Sequence, residues 1–207
     1  TPCNSFVTSV FDKERFMYFL QYGIMFIDGT VPQKHIMRYQ QLFASMAITK
    51  KLDEGFTSGV IWHTQGSGKT ALSYNLTYVL SDYFSQQNKV AKFYFIVDRL
   101  DLLRQASDEF EARGLEVKTA NSRAELMEQF RTNQALEGHS GKPEITVVNI
   151  QRFAEDKEKV KLPEYATNLQ RIFIIDEAHR GYKPEGSFLA NLLDADQNAI
   201  KIALTGT

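Results

Sequence analysis

The chain has 207 residues, of which 43% are hydrophobic and 24% charged, with 12 Gly and 5 Pro. That is the composition of one folded domain, and it excludes collagen-like, low-complexity and disordered chains. Lys and Arg number 24 against 25 Asp and Glu, a formal net charge of -1; this excludes an autonomous, strongly basic nucleic-acid-binding domain but leaves room for a local basic groove. The single cysteine, Cys3, rules out an intramolecular disulfide and a cysteine-based zinc site. A reducing compartment suits it, and the expected location is cytoplasmic.

The N-terminal stretch Phe11 to Tyr22 places Phe11, Phe16, Phe19 and Leu20 near one helical face, and Asp28-Gly29 marks a turn. The apolar run Phe16 to Ile27 is too short to cross a bilayer and is broken by Gln21 and Gly23, so no membrane contact is expected. A second helical run follows Pro32, with Ile36, Tyr39 or Gln40, Phe43, Ala47 and Ile48 recurring at roughly helical spacing. From residue 55 the rhythm changes. Short apolar runs at Gly59–Trp62, Ala91–Val97, Leu115–Ala120, Glu144–Ile150, Arg171–Ile175 and Ile200–Leu204 read as strands. Helical segments at Lys69–Phe84, Leu100–Ala112 and Ser122–Leu136 lie between them. This alternation predicts an α/β fold, a mainly parallel sheet covered by helices on both faces, preceded by an N-terminal helical segment. Ligands on such sheets bind beyond the carboxyl ends of the strands.

Two of those strand ends carry chemistry. His63-Thr64-Gln65-Gly66-Ser67-Gly68-Lys69-Thr70 joins a predicted strand to a predicted helix, as a phosphate-binding loop does. Gly66 and Gly68 let backbone N–H groups converge on phosphate oxygens, and the helix that follows presents the positive end of its dipole. Gln65 and Ser67 complete the loop, Lys69 reaches the β- and γ-phosphates of ATP, and Thr70 offers a hydroxyl to Mg2+. His63 stands where the general pattern has its first glycine. At the end of the Arg171–Ile175 run comes Asp176-Glu177-Ala178-His179. Asp176 suits a second Mg2+-holding position opposite Thr70, and Glu177 is placed to orient and deprotonate a water. The catalytic candidates are therefore Glu177, Lys69 and Asp176.

This loop, the D-E-A-H box and the terminal Leu204-Thr205-Gly206-Thr207 resemble motifs I, II and III of superfamily 2 helicases and translocases. Further segments narrow the resemblance. Arg38-Tyr39-Gln40-Gln41, Val97-Asp98-Arg99-Leu100, Val148-Asn149-Ile150-Gln151-Arg152-Phe153 and the extended box Asp176 to Arg180 are similar to the restriction (R) subunit of type I restriction–modification enzymes. In that family His63 is expected rather than anomalous. The resemblance implies the first RecA-like lobe of an ATP-driven double-stranded DNA translocase, with a helical linker over 1–32 and the motor lobe over 33–207. It implies that Arg38 and Gln41 bind ATP, with Gln41 reading the adenine edge and Gln40 competing for that role. It implies that His179 and Thr205 couple the nucleotide to DNA, and that Arg99, Gln151 and Arg152 touch DNA. The implied partners are double-stranded DNA, methyltransferase and specificity subunits, a second RecA-like lobe and a nuclease domain. A start at Thr1 and a stop at Thr207 then read as a fragment, expected to hydrolyse ATP negligibly alone and to hold DNA weakly.

Other readings stay open: a type III restriction subunit or another superfamily 2 helicase, or a non-catalytic nucleotide-binding module. Glu116-Val117-Lys118 mimics the end of a restriction-nuclease motif but reads as a surface pair on a strand. Trp62 and the phenylalanines read as core.

Overall fold

The computed structural model describes residues 2–27, 31–131, 143–150, 168–178 and 188–206. Six strands form one parallel sheet: β3 (Ser58–Trp62), β4 (Val90–Val97), β5 (Glu116–Ala120), β6 (Glu144–Asn149), β7 (Leu169–Ile175) and β8 (Ile200–Thr205). Their order across the sheet is β3-β8-β7-β4-β6-β5, and every pairing is parallel. All six lie where the apolar runs place them.

Strand alternation divides the core in two. Phe93, Phe95 and Val97 of β4, Ile172 and Ile174 of β7, and Ile200, Ile202 and Leu204 of β8 point to one face. There they meet α4 (Lys69–Ser85), through Leu72, Leu76, Val79 and Leu80, and α5 (Leu100–Ala112), through Leu103, Ala106 and Phe110. The intervening residues Tyr94, Ile96, Phe173 and Ile175 point to the other face. They meet Leu126 and Phe130 of α6 (Arg123–Arg131) and Leu192 and Leu193 of α7 (Phe188–Ala195). The central strands β4, β6 and β7 are buried on both sides, which is why they read as continuous apolar runs rather than alternating ones. Leu72, Leu76 and Leu80 have no solvent exposure, so truncating any of them to alanine costs about 2–5 kcal/mol.

The N-terminal part departs from the expected pair of helices. Helices α1 (Pro2–Val10) and α2 (Lys13–Tyr22) are followed by an antiparallel pair, β1 (Ile24–Ile27) and β2 (Gln33–Ile36). Gly23 makes the switch. Its N–H caps α2 on the Phe19 carbonyl at 2.7 Å. A Cβ there would lie 2.4 Å from the Phe19 ring and 2.6 Å from the Phe19 carbonyl, so only glycine allows this exit. The run after Pro32 is first a strand, and α3 (Tyr39–Asp53) begins seven residues later than Pro32 itself. Helix α3 packs on α4, with Ala44, Ile48 and Leu52 against the first core cluster. No helix among the described residues is long and apolar enough to cross a membrane.

Lys118 of β5 pairs with Glu144 of neighbouring β6 at 2.7 Å, so the Glu116-Val117-Lys118 stretch serves strand pairing. Trp62 is not core: it is 75% exposed, because β3 is an edge strand and only Ile61 on its inner side reaches the core.

Candidate functional site

The carboxyl ends of β3, β7 and β8 gather the site. After β3 the chain forms a loop in which Gly66 (φ +74) and Gly68 (φ +81) occupy the left-handed region. This conformation disfavours any side chain and turns successive N–H groups toward one point. Gly68 caps α4, whose first residue is Lys69. The Ser67 hydroxyl is buried without a protein partner. A loop of this shape, a buried unused hydroxyl and a helix N-terminus fit a phosphate group.

Helix α3 holds the loop from behind. The Gln41 amide donates to the Gly68 carbonyl at 2.9 Å and the Ser67 carbonyl at 3.3 Å. Its oxygen accepts the Arg38 N–H at 2.9 Å, which caps α3. The Arg38 guanidinium donates to the Gly66 carbonyl at 3.2 Å. A Cβ at Gly68 would lie 2.5 Å from Gln41 Nε2. Gly68 is therefore constrained twice, by its backbone angle and by the side chain pressed against it. Gln41 is buried, whereas Gln40 is only half-buried and makes none of these contacts.

Beside the loop, β7 ends at Ile175, and the Asp176 N–H continues the sheet onto the Ile96 carbonyl at 2.9 Å. Glu177 then adopts φ +46, the left-handed region for a residue that has a side chain. Such backbone strain costs about 1–3 kcal/mol and gathers at functional sites. The turn carries Glu177 Oε1 to 3.1 Å from Lys69 Nζ, with side-chain exposures of 15% and 9%. The Asp176 carboxyl is held above the usual carboxylate range, chiefly by burial, with the Glu177 and Asp98 charges adding to it. The Glu177 N–H, which donates to Asp176 Oδ1 at 3.0 Å, and the Lys69 charge work the other way. This excess of negative charge fits a divalent cation near Asp176 and Thr70. No group of three His, Cys, Asp or Glu among the described residues is spaced to hold a metal alone; a nucleotide phosphate would have to share its coordination. Thr205 ends β8, is buried, and accepts the His63 N–H on its carbonyl at 2.9 Å. Burial and the Lys69 charge push the His63 imidazole below its ordinary value.

The profile of the SWI2/SNF2 ATPase family matches residues 40–207. The chain belongs to the SWI2/SNF2 ATPase family. Curated relatives are type I restriction enzyme subunits. The chain is 35% identical over 148 residues to such an endonuclease subunit of Staphylococcus aureus, covering 70% of this chain and 14% of the relative. It is 27% identical over 224 residues to the HindI endonuclease subunit of Haemophilus influenzae, covering 98% of this chain and 20% of the relative. The chain thus spans a fifth or less of the length of these proteins. Among solved structures it resembles a nuclease-deletion mutant of the Type ISP restriction-modification enzyme LlaGI in complex with a DNA substrate mimic. There the TM-score is 0.56 at 15% identity, over 82% of this chain and 17% of that one. It also resembles the Sulfolobus solfataricus SWI2/SNF2 ATPase core in complex with dsDNA, with a TM-score of 0.50 at 17% identity, over 90% of this chain and 33% of that one. These two likenesses establish the fold.

In this SWI2/SNF2 ATPase chain the structure brings together Arg38, Gln41, Gly66, Ser67, Gly68, Lys69, Asp176, Glu177 and Thr205, with Gln65 and Thr70 beside them in the loop and the first turn of α4. Arg99 stands apart: its guanidinium chelates Asp101 at 2.7 and 3.1 Å on an exposed surface at the start of α5. Gln151, Arg152, His179 and Arg180 lie outside the described residues. Two residues beyond the sequence-derived set also reach the site. Asp98 follows β4 as Asp176 follows β7, and its charge acts on Asp176. The signal was the same in both places, an apolar run ending in Asp. Gly206 sits so close that a Cβ there would lie 3.2 Å from Lys69 Nζ; nothing in the Leu-Thr-Gly-Thr motif by itself indicates that neighbour.

Proposed function

We propose that the chain is the first motor lobe of the R subunit of a type I restriction–modification enzyme, a double-stranded DNA translocase driven by ATP. The observation that carries the nucleotide half of this reading is the meeting of Lys69 and Glu177 beneath a two-glycine phosphate loop. A phosphate cradle alone suits any nucleotide-binding module. A carboxylate aimed into it from the next layer of the site suits hydrolysis, because a non-catalytic switch has no use for a base.

In this reading the Gly66, Ser67 and Gly68 backbone and the α4 N-terminus bind the phosphates of ATP, and Lys69 draws negative charge off the β- and γ-oxygens. Thr70 and Asp176 hold Mg2+, whose chemistry is to neutralise the charge of the transferring phosphoryl group. Glu177 orients a water in line with the γ-phosphate and takes its proton. Gln41 retains one lone pair on its amide oxygen beyond the bond from Arg38, enough to accept the adenine amino group while its N–H groups stay on the loop. Thr205 lies on the strand next to β3 and carries the state of the phosphate loop toward the DNA side. Arg99 contacts the DNA backbone once Asp101 releases it, and Gln151, Arg152 and His179 are assigned to DNA contact and coupling by the same resemblance.

The type I restriction subunits among the relatives favour this reading over another superfamily 2 helicase. The lobe over 33–207 would work with a second RecA-like lobe, a nuclease domain, and methyltransferase and specificity subunits, in the cytoplasm. The experiment is displacement of a DNA triplex by the full-length subunit in its assembled complex. Wild type should displace it only with ATP and Mg2+, while Lys69→Ala should not. Displacement by Lys69→Ala at the wild-type rate removes the reading.

A further inference from the structure

The phosphate loop is held from behind by Arg38 and Gln41, and that brace is itself anchored. The residue before Arg38 is Met37, which is buried and donates its N–H to the Gly23 carbonyl at 2.8 Å. Gly23 is the cap of α2. Its neighbour Tyr22, the last residue of α2, donates its hydroxyl to the Asp82 carboxylate of α4. Gln21 donates to the same carboxylate at 3.2 Å and to the Tyr22 hydroxyl at 2.9 Å. The contacts therefore close a ring. It leaves α4 at its cap, Gly68, and runs through Gln41 and Arg38 to Gly23 and Tyr22. It returns to α4 at Asp82, about 20 Å along the helix at roughly 1.5 Å per residue.

Nothing in α4 itself asks for Asp82. It lies in the last turn, where a carboxylate opposes the helix dipole. Burial and the Asp82 carboxylate push the Tyr22 phenol above its ordinary value, so it stays protonated and donating. The Tyr22 ring rests on Tyr18, with centroids 4.8 Å apart, and both pack against the sheet core. On the other flank Arg15 of α2 lies over the Phe43 ring of α3 at 4.9 Å. Helix α2 thus touches both α3, which carries Gln41, and α4, which carries Lys69. Rigid helices tied by hydrogen bonds and packing carry a displacement from one end of such a chain to the other.

We propose that α2 is a strap that sets how firmly Arg38 and Gln41 grip the phosphate loop, with Tyr22 as its positioning residue and Asp82 as its anchor. This rests on the ATPase reading above and adds to it a remote control of nucleotide affinity. The N-terminal segment is then a working part of the nucleotide site rather than a spacer. A displacement of α2 loosens the brace without moving the groups that act on the phosphoryl group, so it changes affinity and spares the chemistry.

The test is equilibrium binding of a fluorescent non-hydrolysable ATP analogue to the full-length subunit, with Mg2+. Melting temperature and DNA-stimulated turnover are measured beside it. Tyr22→Phe removes one hydroxyl and keeps the ring, while Asp82→Ala removes the acceptor of both bonds. Tyr22→Phe is expected to weaken binding about threefold and Asp82→Ala about fivefold, within the worth of a hydrogen bond or two. The KM for ATP should rise in step while kcat holds. In a Gln41→Ala background Tyr22→Phe should cost distinctly less than in wild type, because the grip it positions is already lost. Unchanged binding in both variants, whatever the melting temperature, overturns the strap. So does an equal loss of binding with and without Gln41; both results leave the ATPase reading in place. A wild-type subunit that binds no nucleotide overturns that reading, and the strap with it.

Discussion

Strand β7 has a buried ion pair at each end, and the two are built oppositely. At its amino end Arg171, 1% exposed, pairs with Asp196 of the segment after α7 at 3.0 Å. The guanidinium also lies 5.2 Å from the centre of the Phe130 ring and donates to the Phe130 carbonyl at 3.5 Å. Everything around that pair is ordinary helix, strand and aromatic packing, and it ties α6 and α7 to the sheet. At its carboxyl end Glu177 reaches Lys69 from a left-handed backbone, beside two left-handed glycines and two further carboxylates. The first pair holds the fold. The second is held by strain and like-charge crowding, and a ligand can rearrange it. The proposed site lies at the end of the sheet where the packing is least self-satisfied.

The comparison predicts its own asymmetries. The largest is catalytic: in the full-length subunit Lys69→Ala or Asp176→Asn should lower DNA-stimulated ATP turnover by about a thousandfold or more, as loss of a charge-stabilising group does. Asp176→Asn should not shift the melting temperature downward by much, since it relieves like-charge crowding, whereas Lys69→Ala removes the cation that offsets that crowding and should lower it. At the other end the effects exchange. Arg171→Ala leaves Asp196 buried and unpaired and should destabilise the fold by about 3–5 kcal/mol in urea denaturation. The nucleotide affinity of whatever remains folded should be unchanged. A stable Arg171→Ala protein with poor nucleotide binding would reverse the assignment of the two ends.

Gln41 sharpens the comparison on a smaller scale. It belongs to α3, outside the sheet, yet it holds the loop by two hydrogen bonds. Gln41→Ala should weaken ATP binding about tenfold, the worth of one to two hydrogen bonds. It should also erase any preference for ATP over GTP, measured by competition. A loss of affinity with base preference intact would confine Gln41 to bracing the loop.

The smallest effect is electrostatic and lies near the amino end. Burial lowers the Lys92 ammonium from its ordinary 10.5 to about 8, against a partly compensating pull from Glu144. Lys92 donates to the Gln129 carbonyl at the end of α6. Between about pH 8 and 10.5 the unfolded chain holds a proton that the folded chain has released, so this group's contribution to stability rises with pH across that window. Below it, the charged buried lysine opposes folding in full. Lys92→Met should therefore be more stable than wild type at pH 7, with the difference narrowing from pH 8 to pH 10 in denaturant titrations.

The centre of the sheet was legible in the sequence because burial on both faces makes its strands unbroken apolar runs, as in Phe93-Tyr94-Phe95-Ile96-Val97 or Ile172-Phe173-Ile174-Ile175. The loop and the box were legible because glycines at fixed spacing before Lys69-Thr70, and two carboxylates after an apolar run, serve few other purposes. The β1–β2 pair was not. Its first strand continues the apolar pattern of α2, and the boundary depends on Gly23 fitting against Phe19, a contact no periodicity shows. Trp62 misled for a similar reason: an apolar run predicts a strand but not whether that strand lies at the sheet's edge. The Arg171–Asp196 pair and the Lys69–Glu177 pair span long separations in sequence and depend on which strands become neighbours. Gln41 was picked out by its motif, but its grip on the loop carbonyls follows from how α3 packs on α4.

The central claim is that Glu177 is the base of an ATP-hydrolysing motor, and one measurement tests it most directly. Single-turnover hydrolysis of ATP by the full-length Glu177→Gln subunit on DNA, with bound nucleotide followed in parallel, should show ATP bound and not cleaved. Cleavage at the wild-type rate with ATP bound would contradict the account.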